Sequence, residues 1–144
     1  MSQDSQRGSR PPGTPPEHHT RDWRRLLDPL AVLSACDDNE EALRLLCRRL
    51  REYLPRRMDE LAQAARVADA VGVRETAHRL SSLLYAFSTT AGDVASQVED
   101  LAAEGDLAPC AALILRLEAM TTRLLSQTAD LTLEGLHLLR GSSD

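Results

Sequence analysis

A chain of 144 residues with 42% apolar and 27% charged side chains can bury a sizeable core in one domain, and is too apolar to be disordered throughout. A formal net charge of −5 argues against nucleic acid as a partner. No apolar run approaches the roughly 20 residues that cross a bilayer and no apolar leader opens the sequence, so a cytoplasmic protein without a membrane segment is expected.

Aromatic residues make up only 3% of the chain while Leu and Ala dominate, which favours helices packed through aliphatic side chains over a β-sandwich or barrel. Cys36, Cys47 and Cys110 are odd in number, far apart and without a Cys-x-x-Cys pair. They read as reduced, partly buried thiols, not as a disulfide framework or a zinc site.

In chain order, residues 1–22 are rich in Ser, Gly, Pro and charge and are expected to be a disordered tail. His18 and His19 close that tail with no further ligand nearby, so no metal site is expected there. Residues 23–128 are expected to form a helical bundle. Asp28-Pro29 is an N-cap followed by proline at the first helical position, opening a short helix through Cys36 with Leu30 and Leu33 inward. Asp38 and Glu41 have capping-box spacing and begin a longer helix whose stripe is Leu43, Leu46, Leu50 and Leu54. Pro55 predicts a kink or a new first turn, after which Met58, Leu61, Ala62, Ala65 and Ala68 resume the pattern.

Asp69 caps the next helix, in which Val73, Ala77, Leu80, Leu84 and Phe87 draw a single apolar stripe. At about 100° per residue, His78 projects roughly 140° from the middle of that stripe, in the sector of Arg74, Ser81, Ser82 and Tyr85. A histidine buried for packing belongs beside the stripe, whereas this one is placed among small and polar neighbours. No Glu-x-x-His or His-x-x-x-His spacing accompanies it, so metal ligation is not expected.

Ser88-Thr89-Thr90 marks a turn, with Thr90 and Asp93 at cap spacing, and Val94, Val98 and Leu101 form the following stripe. Gly105 stops that helix and Asp106 starts the next, striped by Leu113, Leu117, Met120 and Leu124. Residues 129–144 are a leucine-rich extension that either prolongs the last helix or folds back on the bundle. An exposed leucine-rich end could alternatively bind a partner or another copy. Short links between amphipathic helices favour an antiparallel up-and-down arrangement.

Residues 27–127 resemble the histidine phosphotransfer (HPt) domain family. The family has an acidic capped start, a long helix kinked by proline, the motif Ala-His-x-Leu-Lys-Gly-Ser on the next helix, and two further helices commonly joined by Gly-Asp. The corresponding places here hold Asp38-Asn39-Glu40-Glu41, Leu54-Pro55, Ala77-His78-Arg79-Leu80-Ser81-Ser82 and Gly105-Asp106.

The resemblance implies an all-α, four-helix up-and-down bundle with a short additional helix or helical extension. It also implies a monomeric phosphocarrier without kinase activity of its own. His78 would be the phosphoacceptor, exchanging a phosphoryl group with an aspartyl phosphate on a response-regulator receiver domain, or on that of a hybrid sensor histidine kinase. The resemblance implies no cofactor on this chain, magnesium being supplied by the receiver.

Two positions depart from the motif: Ser81 stands where the family has Lys, and Ser82 where it has Gly. Arg74, four residues before His78, is the substitute cation on that face, with Arg79 projecting toward the flank. Ser81 and Ser82 are candidate hydrogen-bond donors to phosphate, and Tyr85 a candidate contact to a docked receiver. A phosphorylation-independent HPt-like adaptor that binds a kinase or receiver domain is the alternative.

Overall fold

A computed structural model describes residues 26–142. The expected disordered tail 1–22, with His18 and His19, lies outside the described residues, as do Trp23 and residues 143–144. The described residues are all-helical: α1 (Pro29–Cys36), α2 (Glu40–Arg66), α3 (Ala70–Tyr85), α4 (Thr89–Ala103), α5 (Cys110–Gln127) and α6 (Leu133–Ser142).

α3 packs most extensively on α4 and also on α2, and α5 packs on both α4 and α2. One core joins Leu43, Leu50, Leu54 and Leu61 of α2 to Val73, Leu80 and Leu84 of α3, Val94 and Val98 of α4, and Leu117, Met120 and Leu124 of α5. Each of these side chains removes apolar surface from water, stabilising the bundle by about 1.5–3 kcal/mol when fully buried.

The helix starts follow local capping chemistry. The Asp28 side chain accepts from Ala31 N–H, with Pro29 in the first turn as expected. α2 is capped by Asn39, one residue after the expected Asp38. Asp37 and Asp38 both adopt positive φ and complete the exit from α1, so Asn39 is the first extended residue able to turn its side chain to the new helix. Asp69 caps α3 as expected, accepting from Gly72 N–H. α4 is capped by Ser88, earlier than Thr90, because Ser88 is already extended and accepts from Ala91 N–H. α5 begins at Cys110, later than expected, with Pro109 at its N-cap position and no side-chain cap hydrogen bond.

The core corrects several stripe positions. Leu30 is exposed, and Val32, Leu33 and Cys36 turn inward where α1 meets α2 and α6. Cys47 and Ile114 are buried beside the only partly buried Leu46 and Leu113. Pro55 opens no new helix: α2 runs continuously through it, with the ring on the exposed side, where water can satisfy the carbonyl left without a donor.

Beyond Gln127 the chain folds back. Thr128 donates its hydroxyl to Leu124 O, and α6 lies on α1 with Leu136 fully buried. Leu133 N–H donates to Glu40 Oε1, and His137 Nε2 lies 2.9 Å from Asp38 Oδ1. The start of α1 is tied to the α3–α4 link, where Asp28 N–H donates to the carbonyl of fully buried Phe87 at 2.7 Å.

α2 and α4 end in the same motif. After α4, Gly105 sits at φ 76° while Asp106 N–H reaches back to Leu101 O. After α2, Asp69 N–H reaches back to Ala64 O, but the left-handed residue is Ala68, at φ 55°. A Cβ is disfavoured there by about 1 kcal/mol. Ala68→Gly is therefore expected to raise the denaturant midpoint by a stabilisation of about 1 kcal/mol with an unchanged slope, and a fall in the midpoint would contradict the strain assigned to Ala68.

Candidate functional site

α3 is held between α2 and α4, so its buried arc is wider than a single stripe: Val73, Thr76, Ala77, Leu80, Ser81 and Leu84 all face inward. The remaining strip carries Arg74, Glu75, His78, Arg79, Ser82 and Tyr85 toward solvent. The His78 side chain is 65% exposed, as its position on the helix requires.

His78 Nδ1 lies 3.0 Å from Oε2 of Glu99 on α4, a carboxylate only 27% exposed. A carboxylate can only accept, so in the neutral ring this contact places the proton on Nδ1 and leaves the lone pair on Nε2. The same carboxylate fixes the ring orientation and favours positive charge arising on the imidazole when Nε2 acts as a nucleophile. Around this pair is a shallow open depression of about 380 Å³ lined by Arg74, Glu75, His78, Arg79 and Glu99. The two guanidiniums are donors suited to an oxyanion in front of the ring.

The sequence-derived site residues separate into two groups. Arg74, His78, Ser82 and Tyr85 are exposed together on the strip. Ser81 is not: it is 5% exposed and donates its hydroxyl to His78 O at 2.9 Å. The reason is the close packing of α4 on α3, which covers the edge of the sector where Ser81 lies. Arg79, expected to point to the flank, lines the same depression as Arg74. Glu99 was not legible from the His78 helix because it lies 21 residues away on another element, and only the α3–α4 pairing brings it to the ring.

Tyr85 is more constrained than an exposed aromatic needs to be. Its ring lies flat on α4 at Gly92, where a Cβ would fall 2.5 Å from a ring carbon. Its hydroxyl donates to Asp93 Oδ1 at 2.6 Å. That hydrogen bond, followed by burial, pushes the phenol above its ordinary value of 10.0.

The thiols form no part of this site: Cys36, Cys47 and Cys110 are free and buried, and burial pushes the Cys47 and Cys110 thiols up, away from the nucleophilic thiolate. Among the described residues, no group of three or more His, Cys, Asp or Glu could hold a metal ion, and no helix is long and apolar enough to cross a membrane. Comparison of the chain with protein-family models, curated proteins and solved structures finds no match.

Because the raised Tyr85 value stabilises the protonated phenol in the folded state, its contribution is complete below pH 10 and is lost as pH rises through the folded value. In an ultraviolet titration, one of the two tyrosines is expected to ionise late in the wild type. Asp93→Ala and Gly92→Ala should each bring that ionisation back toward the ordinary value, the first by removing the acceptor and the second by displacing the ring. Two coincident tyrosine titrations in the wild type would contradict the Tyr85–Asp93 bond.

Proposed function

We propose that this chain is a histidine-containing phosphotransfer protein that carries a phosphoryl group on His78 between response-regulator receiver domains of a two-component phosphorelay. The observation that carries the reading is the exposed His78 with its Nδ1 turned to Glu99, which leaves Nε2 directed outward as the nucleophilic nitrogen. Support also comes from the packing. α2, α3, α4 and α5 each contact two of the others, and successive members are joined by short links, as an antiparallel four-helix bundle of HPt type requires. In that reading α1 and α6 are additions to the bundle.

The transfer needs little from this chain. The Nε2 lone pair attacks the phosphorus of an aspartyl phosphate on the receiver, the N–P bond forms, and the P–O bond breaks with its electron pair leaving on the receiver carboxylate. The imidazole keeps its Nδ1 proton and becomes cationic, which the adjacent Glu99 carboxylate favours. Arg74 and Arg79 offset charge on the transferred phosphoryl oxygens, a role the motif lysine would otherwise have at the buried Ser81. The small, exposed Ser82 leaves room one turn beyond the histidine for the receiver to approach. The receiver supplies the magnesium ion, and this chain has no kinase activity of its own.

The alternative, a phosphorylation-independent adaptor that binds a kinase or receiver domain, draws support from Ser81. Its hydroxyl is committed to the His78 carbonyl and provides no charge to a phosphoryl group.

Incubation with a phosphorylated receiver is expected to label the wild type and leave His78→Gln unlabelled. Glu99→Ala should slow labelling by about tenfold while receiver binding persists, since only ring orientation and charge stabilisation are lost. Labelling that survives His78→Gln would remove the assignment, and receiver binding without any labelling of the wild type would favour the adaptor.

A further inference from the structure

The chain is acidic overall, yet its cations are concentrated. Arg44, Arg48, Arg49, Arg51, Arg56 and Arg57 lie within one stretch of α2 that contains a single acid, Glu52. Arg44 pairs with Glu41 and Arg57 with Glu60, but Arg48, Arg49, Arg51 and Arg56 form no ion pair among the described residues. Leu45 is 52% exposed and Tyr53 38% exposed, and the Arg56 guanidinium lies 5.7 Å from the Tyr53 ring centroid. Positions 45, 49, 53 and 56 recur at helical spacing and share one face, with Arg48 at its edge.

We propose that this face of α2 is a docking surface for an acidic, amphipathic segment of another protein, in which carboxylates flank apolar side chains that seat on Leu45 and Tyr53. Arginine and tyrosine exposed together around an apolar centre are the residue types that dominate protein interfaces.

Two features select this partner among polyanions. The apolar stripe of α2 is already used in the core, so the helix cannot lay an apolar face into a lipid surface. The net charge of −5 opposes approach of a long polyanion, whereas a short segment meets only the local cations. The surface lies on a different helix from His78, which α3 presents on its α4 side, so occupation of one leaves the other accessible. The proposal is independent of the phosphotransfer reading.

The test uses the full chain and a fluorescently labelled helical peptide of glutamates with leucines placed about eight residues apart, to match the ~12 Å between Leu45 and Tyr53 along the helix. Duplex DNA and phosphatidylserine vesicles serve as competing probes. The peptide is expected to bind preferentially and to release with added salt. Affinity should fall about tenfold in Arg49→Glu/Arg56→Glu and in Tyr53→Ala. The milder Arg49→Gln/Arg56→Gln pair gives the same direction of change should charge reversal disturb folding, which circular dichroism would reveal.

Failure of every probe to bind, tighter binding of DNA or vesicles than of the peptide, or an affinity indifferent to all these substitutions would overturn the proposal. Concentration-dependent dimerisation abolished by Arg49→Glu/Arg56→Glu would also overturn it, by assigning the face to a second copy of this chain.

Discussion

Burial of α3 against two neighbours at once leaves a single strip of that helix in solvent, and the geometry around His78 follows from the strip. A helix packed on one side would expose more than half its circumference, and its histidine would be one polar residue among many. With α2 on one flank and α4 on the other, even Thr76 and Ser81 are covered. The close approach of α4 is visible at Gly92, where only the absence of a Cβ lets the Tyr85 ring lie against the helix. The same approach brings the Glu99 carboxylate to the His78 ring.

That approach is maintained from outside the pair. Fully buried Phe87 occupies the α3–α4 link, and its carbonyl receives the Asp28 N–H, so the start of α1 braces the turn that sets the two helices together. α1 is in turn covered by α6, through the buried Leu136 and the Asp38–His137 contact. The segment after Gln127 is thus part of the packed structure: of the arrangements open to it, the fold-back onto the bundle is the one adopted, with Leu136 committed to α1. A backbone hydrogen bond sheltered from water costs more to break than an exposed one, which gives the Asp28–Phe87 contact structural weight beyond its number.

Charge is distributed with a similar economy. Carboxylates gather along α4, where Asp93 and Glu99 hold the Tyr85 hydroxyl and the His78 ring, while arginines gather on the outer face of α2. A bundle helix needs only its inner face for folding, so the outer faces of α2 and of α3 with α4 are free to carry different electrostatic signatures. The chain's net charge conceals this local gathering of cations on α2.

What the sequence determined by itself was the class of fold, the existence and approximate extent of most helices, and the outward direction of His78. Those properties are local: an apolar repeat near 3.6 residues, Asp28 and Asp69 as caps, and Gly105 as a stop follow from short-range sterics and hydrogen bonding. Leu43, Leu50, Leu54, Leu80 and Leu124 could be placed in the core for the same reason. Tertiary structure decided what lay between helices. It buried Ser81 at the edge of the sector it was expected to share with His78, turned Leu30 outward, carried α2 through Pro55 and folded α6 onto α1. It also supplied Glu99 and gathered Arg79 into the depression beside Arg74. A period specifies which face of a helix is apolar, but the width of the buried arc, and the residue that meets a given side chain from across the interface, depend on how neighbouring helices approach.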